Sequence, residues 1–179
     1  VLKPEDLKKQ KLFVYAGDPD GVKAWRDAGF HTVPLEPSDL MSSLQSGMVE
    51  AFTTTPLSAA AYQWFGLTKN MCGMQWAPMI GGIVVSNRVW NRVPDELRPK
   101  LAQAAEEIGK QMQEKIDTAD EQATAVMMEH GLEITEVSEE DIALWEAEVR
   151  KGFDKLIGKS FDKESFELVN KYLQEFRAQ

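Results

Sequence analysis

The chain has 179 residues, 43% of them hydrophobic and 27% charged. That is enough for one domain with a real core, or for two small ones. With 29 acidic against 20 basic residues the formal net charge is -9, a surface that repels nucleic acid and anionic membranes.

Pro4 to Gln10 reads as a short polar turn of helix. Leu12-Phe13-Val14-Tyr15-Ala16 is β-branched and aromatic and predicts a strand. Asp18 before Pro19 is an N-cap followed by a first-turn proline, and that helix should stop at Gly29. Val22, Trp25 and Ala28 fall at helical spacing within it. Phe30 to Leu35 predicts a second strand, ended by Pro37. Ser38 to Ser46 predicts a helix with Leu40, Met41 and Leu44 on one side, stopped by Gly47. Val49 to Thr54 predicts a third strand, in which Glu50 interrupts the apolar run. Pro56 opens the next helix, with Thr55 as its N-cap.

Strand then helix, three times over with short connections, predicts a parallel sheet covered by helices. Ligands of such sheets bind at the carboxyl edge. Here that edge would carry Thr53, Thr54 and Thr55 facing a helix N-terminus with outward N–H groups. The same residues also describe a capped turn with no ligand.

Beyond Gly66, Met71 to Ala77 is a mixed apolar stretch holding Trp76. Cys72 is alone, so no intrachain disulfide can form, and a small buried hydrophobe is its ordinary role. Gly81-Gly82 leads into Ile83-Val84-Val85, read as a short buried strand. Ser86 opens a turn of helix holding Trp90. From Pro99 to His130 apolar residues recur every three or four positions, from Leu101 to Met127, until Gly131. A helix of about 32 residues is about 48 Å long. A globule of this chain length is only about 40 Å across. Such a helix spans two lobes or meets another chain. Glu133 to Val137 predicts a short strand. Ser138-Glu139-Glu140-Asp141 resembles a capping box with Asp in the carboxylate position. The two helices behind it carry Trp145, Val149 and Phe153, then Phe166, Val169, Leu173 and Phe176.

Familiar catalytic chemistry is absent. His31 and His130 have no metal-ligand spacing. No HExxH, GxSxG, P-loop or GxGxxG occurs. The acidic run at 139–141 fits a solvated first turn favoured by the helix dipole. No apolar run approaches the roughly 20 residues of a membrane span. The expectation is a protein with no cofactor and no metal that is not an enzyme.

The order of motifs resembles the periplasmic solute-binding proteins of TRAP transporters, the DctP-type family. Leu7-Lys8-Lys9-Gln10-Lys11-Leu12-Phe13-Val14 is similar to the family's "DLKGLKIRV". Leu44-Gln45-Ser46-Gly47-Met48-Val49-Glu50-Ala51 is similar to "LQTGVVDG". Val84-Val85-Ser86-Asn87-Arg88-Val89-Trp90 is similar to "VLISKKFWD". The long helix resembles the one that runs along both family lobes. The resemblance implies an α/β lobe of the type II periplasmic-binding-protein kind over residues 1–85. A long spanning helix and C-terminal helices would follow over 86–179. It also implies that this chain is a piece of something longer, with most of the N-terminal lobe absent from it.

By that resemblance the protein would be periplasmic. It would bind a small organic ligand and deliver it to the transporter's membrane subunits. Two departures bear on the ligand. The family's Arg in "KIRV" forks onto a substrate carboxylate, and the aligned residue here is Phe13. The family's Asn in "QENP" falls among Thr53, Thr54 and Thr55, with the loop one residue longer. Either another cation compensates or the ligand is less anionic and partly apolar. The candidate ligand-binding residues are Phe13, Tyr15, Thr53, Thr54, Thr55 and Trp76. Core packing is the alternative for Phe13 and Trp76. The rival function is a structural or interaction protein whose long helix pairs with another chain, self-association through that helix included.

Overall fold

The computed structural model describes residues 1–75, 77 and 81–178, with the backbone alone for residues 117 and 153–155. Two compact units divide the chain. The first holds Val1–Thr53, Cys72–Met74 and the chain from Thr135 onward; the second holds Thr54–Met71 and Gln75–Ile134.

The first unit is built on β1 (Lys11–Tyr15), which pairs in parallel with β2 (His31–Leu35) from Lys11↔His31 to Tyr15↔Leu35. On its other side β1 meets the segment around Ala51. Leu12 and Ala51 form a parallel bridge, and the Phe13 N–H donates to the Ala51 carbonyl at 2.8 Å. The expected third strand is therefore a single bridge beside β1. Glu50, which interrupted the apolar pattern, pins that register. Its carboxylate accepts from the Lys11 backbone N–H at 3.0 Å and faces the Lys11 ammonium at 3.7 Å.

Leu12, Phe13 and Val14 are all buried, so both faces of β1 are covered, as in a parallel sheet under helices. Alternation along the strand sends Leu12 and Val14 to one face and Phe13 to the other. Leu12 and Val14 join Leu7, Phe30 and Trp145 in the core, with Val22, Trp25 and Ala28 of α2 (Pro19–Asp27 and its C-cap) packed against it. The Asp18 carboxylate caps α2 by accepting from Gly21 N–H at 2.9 Å. Gly29 ends the helix at φ 87°, a conformation that glycine adopts without the Cβ clash of other residues. After β2, α3 (Leu40–Gln45) brings in Leu40, which is fully buried, ahead of Val49.

Two elements distant in sequence complete this unit. α7 (Glu139–Leu156) starts on the anticipated cap. The Ser138 hydroxyl accepts from Asp141 N–H at 3.2 Å and donates to the Asp141 carboxylate at 3.0 Å. Trp145 of α7 stacks on Phe30 with centroids 6.3 Å apart and donates its indole N–H to the Leu2 carbonyl at 2.8 Å. Beside it, Lys8 just after α1 (Pro4–Leu7) bonds Glu148 of α7 at 3.0 Å. α8 (Lys163–Arg177) is capped by the Asp162 carboxylate at 2.7 Å. Its Val169, Tyr172 and Phe176 are exposed.

The Lys8–Glu148 pair sets a pH dependence. Hydrogen bonds from Lys151 and then Lys8 hold the Glu148 carboxyl below the ordinary glutamate value of 4.5. Hydrogen bonds to Glu148 and then Glu5 hold Lys8 above 10.5. A carboxyl lowered by folding stabilises above its unfolded value, and that share is lost as pH falls through the lower native one. The lysine share is present below 10.5 and is lost as pH rises through the higher native value. Side-chain exposures of 21% and 13% place the pair between surface and buried ion pairs. Glu148→Gln should cost about 1–2 kcal/mol at neutral pH. Urea melts at pH 7 and pH 3 check this: the gap between wild type and variant should shrink at the lower pH.

The second unit centres on α6 (Arg98–Glu129), which has the 32 residues anticipated from its periodicity. α4 (Pro56–Ala61) packs on it. Ala59, Trp64, Ala123, Met127 and Leu132 are buried in this unit. Trp64 stacks with Tyr62 at 4.8 Å, and Phe65 meets His130 edge-on at 5.9 Å. Further toward the N-terminus of α6, Leu101, Ile108, Met112 and Ile116 are exposed. Ile83-Val84-Val85 corrects the sequence reading. The segment is neither strand nor buried, and Val84 is 92% exposed. Extended β-branched residues become a strand only where a partner supplies ladder hydrogen bonds, and none pairs with them among the described residues. The described residues also form α5 (Asn87–Trp90) and the paired strands β3 (Asn70–Cys72) and β4 (Glu133–Thr135). Cys72 is half-buried.

Candidate functional site

In the first unit the chain leaves β1, forms β2 on one side, and returns through α3 to lie on the other side of β1. Strand order thus reverses at β1. In open α/β sheets the carboxyl ends beside such a reversal diverge and leave a crevice. Two side chains stand at those ends. Tyr15 closes β1 and is 51% exposed, and Thr53 follows the Ala51 bridge and is exposed. A Cβ on Gly17 would overlap the Tyr15 ring, so the ring lies folded back over that glycine. The Ala16 N–H donates to Leu35 carbonyl at 3.0 Å and closes the edge.

Phe13 lies two residues back from that edge and is 9% exposed, within the core of its unit. Its placement is that of a packing residue under the edge. Trp76 lies outside the described residues.

Thr54 and Thr55 belong to the second unit, at the start of α4. Thr54 is exposed and Thr55 is half-buried. Thr55 is the N-cap: its hydroxyl accepts from Ser58 N–H at 3.2 Å and donates to the Ser58 hydroxyl at 3.0 Å. Pro56 has no N–H. The Leu57 N–H donates to the Asp120 carboxylate of α6 at 2.8 Å. The Ala59 N–H continues the helix to the Thr55 carbonyl at 3.0 Å. The outward N–H groups anticipated at this helix start are therefore taken by acceptors of the protein itself. This corrects the sequence expectation. The cause is Asp120, a residue 63 positions downstream that no local pattern links to Leu57.

A separate groove of about 520 Å³ in the first unit is lined by α2 and α7. Four of its charges form two pairs, Lys23 with Asp27 at 2.6 Å and Lys151 with Glu148 at 2.8 Å. It reads as a neutralised surface between two helices. Among the described residues no cluster of His, Cys, Asp or Glu could hold a metal ion. No helix among them is long and apolar enough to cross a membrane.

Residues 1–160 match the bacterial extracellular solute-binding protein family 7, the DctP family. The chain belongs to this family. A curated relative of the DctP chain, a solute-binding protein of Albidiferax ferrireducens, is 24% identical over 155 residues. That match covers 84% of the chain and 45% of the relative. Solved structures share the fold. A TRAP periplasmic solute-binding protein of Ochrobactrum anthropi, with its C-terminus bound in the ligand-binding pocket, superposes at a TM-score of 0.81 and 19% identity. It covers 99% of this chain and 55% of that one. A second, of Xanthobacter autotrophicus with bound β-D-galacturonate, gives 0.76 at 18% identity, covering 96% and 55%. The fold is thus that of the type II periplasmic binding proteins, and the DctP chain spans about half the length of the relatives it matches.

Proposed function

We propose that this DctP-family chain carries ligand-binding residues of a periplasmic, non-enzymatic solute-binding protein that serves a TRAP transporter. It captures a small organic ligand and delivers it to the membrane subunits for uptake. The observation that carries this reading is the strand reversal at β1, with Tyr15 and Thr53 standing exposed at the carboxyl ends beside it. Tyr15 supplies a stacking face and a phenolic hydroxyl, and Thr53 supplies a hydrogen bond. Phe13 shapes the floor under that edge. Thr54 donates a second hydrogen bond, and Thr55 holds the turn as the helix cap. Residues 1–85 would supply these contacts, and the helices of residues 86–179 would support them.

Two features favour a ligand that is less anionic than galacturonate and partly apolar. Phe13 stands where the resemblance expects an arginine. The N–H groups that open α4 are already occupied. An organic acid remains the alternative within the same function. A thermal-shift screen against carboxylates, keto acids, sugars and small aromatics tests the reading. A ligand at a hundred times its Kd stabilises the native state by about 2.7 kcal/mol and raises the Tm. No shift with any class, in a protein that melts cooperatively, would sink it.

A second reading rests on α6. Its exposed Leu101, Ile108, Met112 and Ile116 recur at helical spacing and suit pairing with another copy of the chain. A molecular mass that rises with protein concentration, without any ligand response, would favour it.

A further inference from the structure

We propose that the apolar face of α8 pairs with α8 of a second copy of the chain, at a surface separate from the sheet edge and from α6. Leu168, Val169, Tyr172, Leu173 and Phe176 are 41–73% exposed. They recur at i, i+1, i+4, i+5 and i+8, which puts them on one side of the helix. The other side carries charges that are paired. Lys163 meets Glu167 at 3.4 Å, Lys171 meets Glu175 at 3.8 Å, and Arg177 meets Glu146 of α7 at 3.8 Å. At the start of α8 the Asp162 cap and the Phe166 ring, stacked on Phe161 with centroids 5.8 Å apart, fix the first turn. These contacts hold the helix without covering its apolar face.

Area and charge select the occupant. The open parts of these two aromatic and three aliphatic side chains amount to about 500 Å². Two copies face to face would remove about 1,000 Å² from water, the lower bound for a specific contact, so the dimer is weak. One patch that closes on itself needs a two-fold axis, and an antiparallel helix pair supplies it. In that pair Val169 meets Phe176 of the second copy and Tyr172 meets Leu173, so a small side chain faces a large one. A lipid surface fits less well. Lys163, Lys171 and Arg177 are balanced on α8 by Glu164, Glu167 and Glu175, which leaves no excess positive charge for anionic headgroups.

Sedimentation equilibrium of the 179-residue chain, from about 1 µM to about 1 mM, tests this. The average mass should rise toward twice that of the monomer. Phe176→Ala removes one ring from each copy and should weaken the dimer about thirtyfold. Val169→Glu combined with Phe176→Glu sets four charges in the pair and should abolish the rise. Both side chains are exposed and Glu is a good helix former, so the Tm of each variant should stay close to that of the wild type. Ile108→Glu combined with Met112→Glu, on α6, should leave the rise in place. A single monomer mass over the whole range would overturn the proposal. So would a rise that only the α6 variant abolishes, which assigns self-association to the long helix. A chain that stays monomeric and cosediments with phosphatidylglycerol vesicles would assign the face to a lipid surface. A large fall in Tm in the double Glu variant would show that the face packs within its own chain, and it too would overturn the pairing.

Discussion

Trp145→Ala is expected to lower the stability of the first unit by about 3–5 kcal/mol, the range for deleting a buried aromatic side chain. Trp145 is 4% exposed and lies in the cluster with Leu7, Leu12, Val14 and Phe30. Three losses add. Its ring leaves a cavity, the Phe30 ring loses its stacking partner at 6.3 Å, and the Leu2 carbonyl loses its indole donor at 2.8 Å. In a chain of this length each kcal/mol is about 2–4 °C in Tm. The drop should therefore be about 6–20 °C by circular dichroism or calorimetry. Trp145→Phe keeps an aromatic ring and removes the donor, so it should recover more than half of the loss. If Trp145→Ala melts within 2 °C of the wild type, α7 does not close this core.

Tyr15→Ala combined with Thr53→Val should weaken ligand binding about thirtyfold while leaving the fold intact. A hydrogen bond is worth about 1 kcal/mol net, and an aromatic contact adds about 1 kcal/mol. Together they amount to about 2 kcal/mol, or about thirtyfold in Kd. Both residues are exposed at the sheet edge, so the Tm should move little. The measurement is titration calorimetry with the strongest compound of the thermal-shift screen, alongside a melt of the variant. Unchanged affinity would move the ligand away from this edge. Weaker binding accompanied by a large fall in Tm would make the two residues structural. Phe13→Leu sharpens the comparison, because a buried mid-strand residue should alter stability more than affinity.

Local rules carried much of the architecture. Asp18, Thr55 and Ser138 cap the helices that their sequence context announced. Gly29, Gly47 and Gly131 take positive φ at the stops where the patterns broke. The 32 residues of α6 follow its periodicity almost to the residue. These features depend on neighbours within about four positions, and a sequence displays such neighbours directly.

The failures share the opposite property. Ile83-Val84-Val85 has strand composition, yet a strand exists only when another backbone supplies its hydrogen bonds. Val49 to Thr54 had the pattern of a strand and became one bridge at Ala51, because a strand extends only as far as two backbones stay within hydrogen-bonding reach. Phe13 and Tyr15 look alike in a list of aromatics. Both lie on one face of β1, and position along the strand buries the first at 9% and leaves the second, at the strand's end, 51% exposed. The Leu57 N–H seemed open to a ligand until α6 brought Asp120 to it.

For this protein, then, the sequence alone determined the helices, their ends, the parallel strand–helix order and the family signature, all written in short-range spacing. Tertiary structure alone decided which edge residues stay exposed and which polar groups are already satisfied. Burial and hydrogen-bond partnership are relations between residues far apart in the chain. Their energies depend on distances that no local pattern specifies.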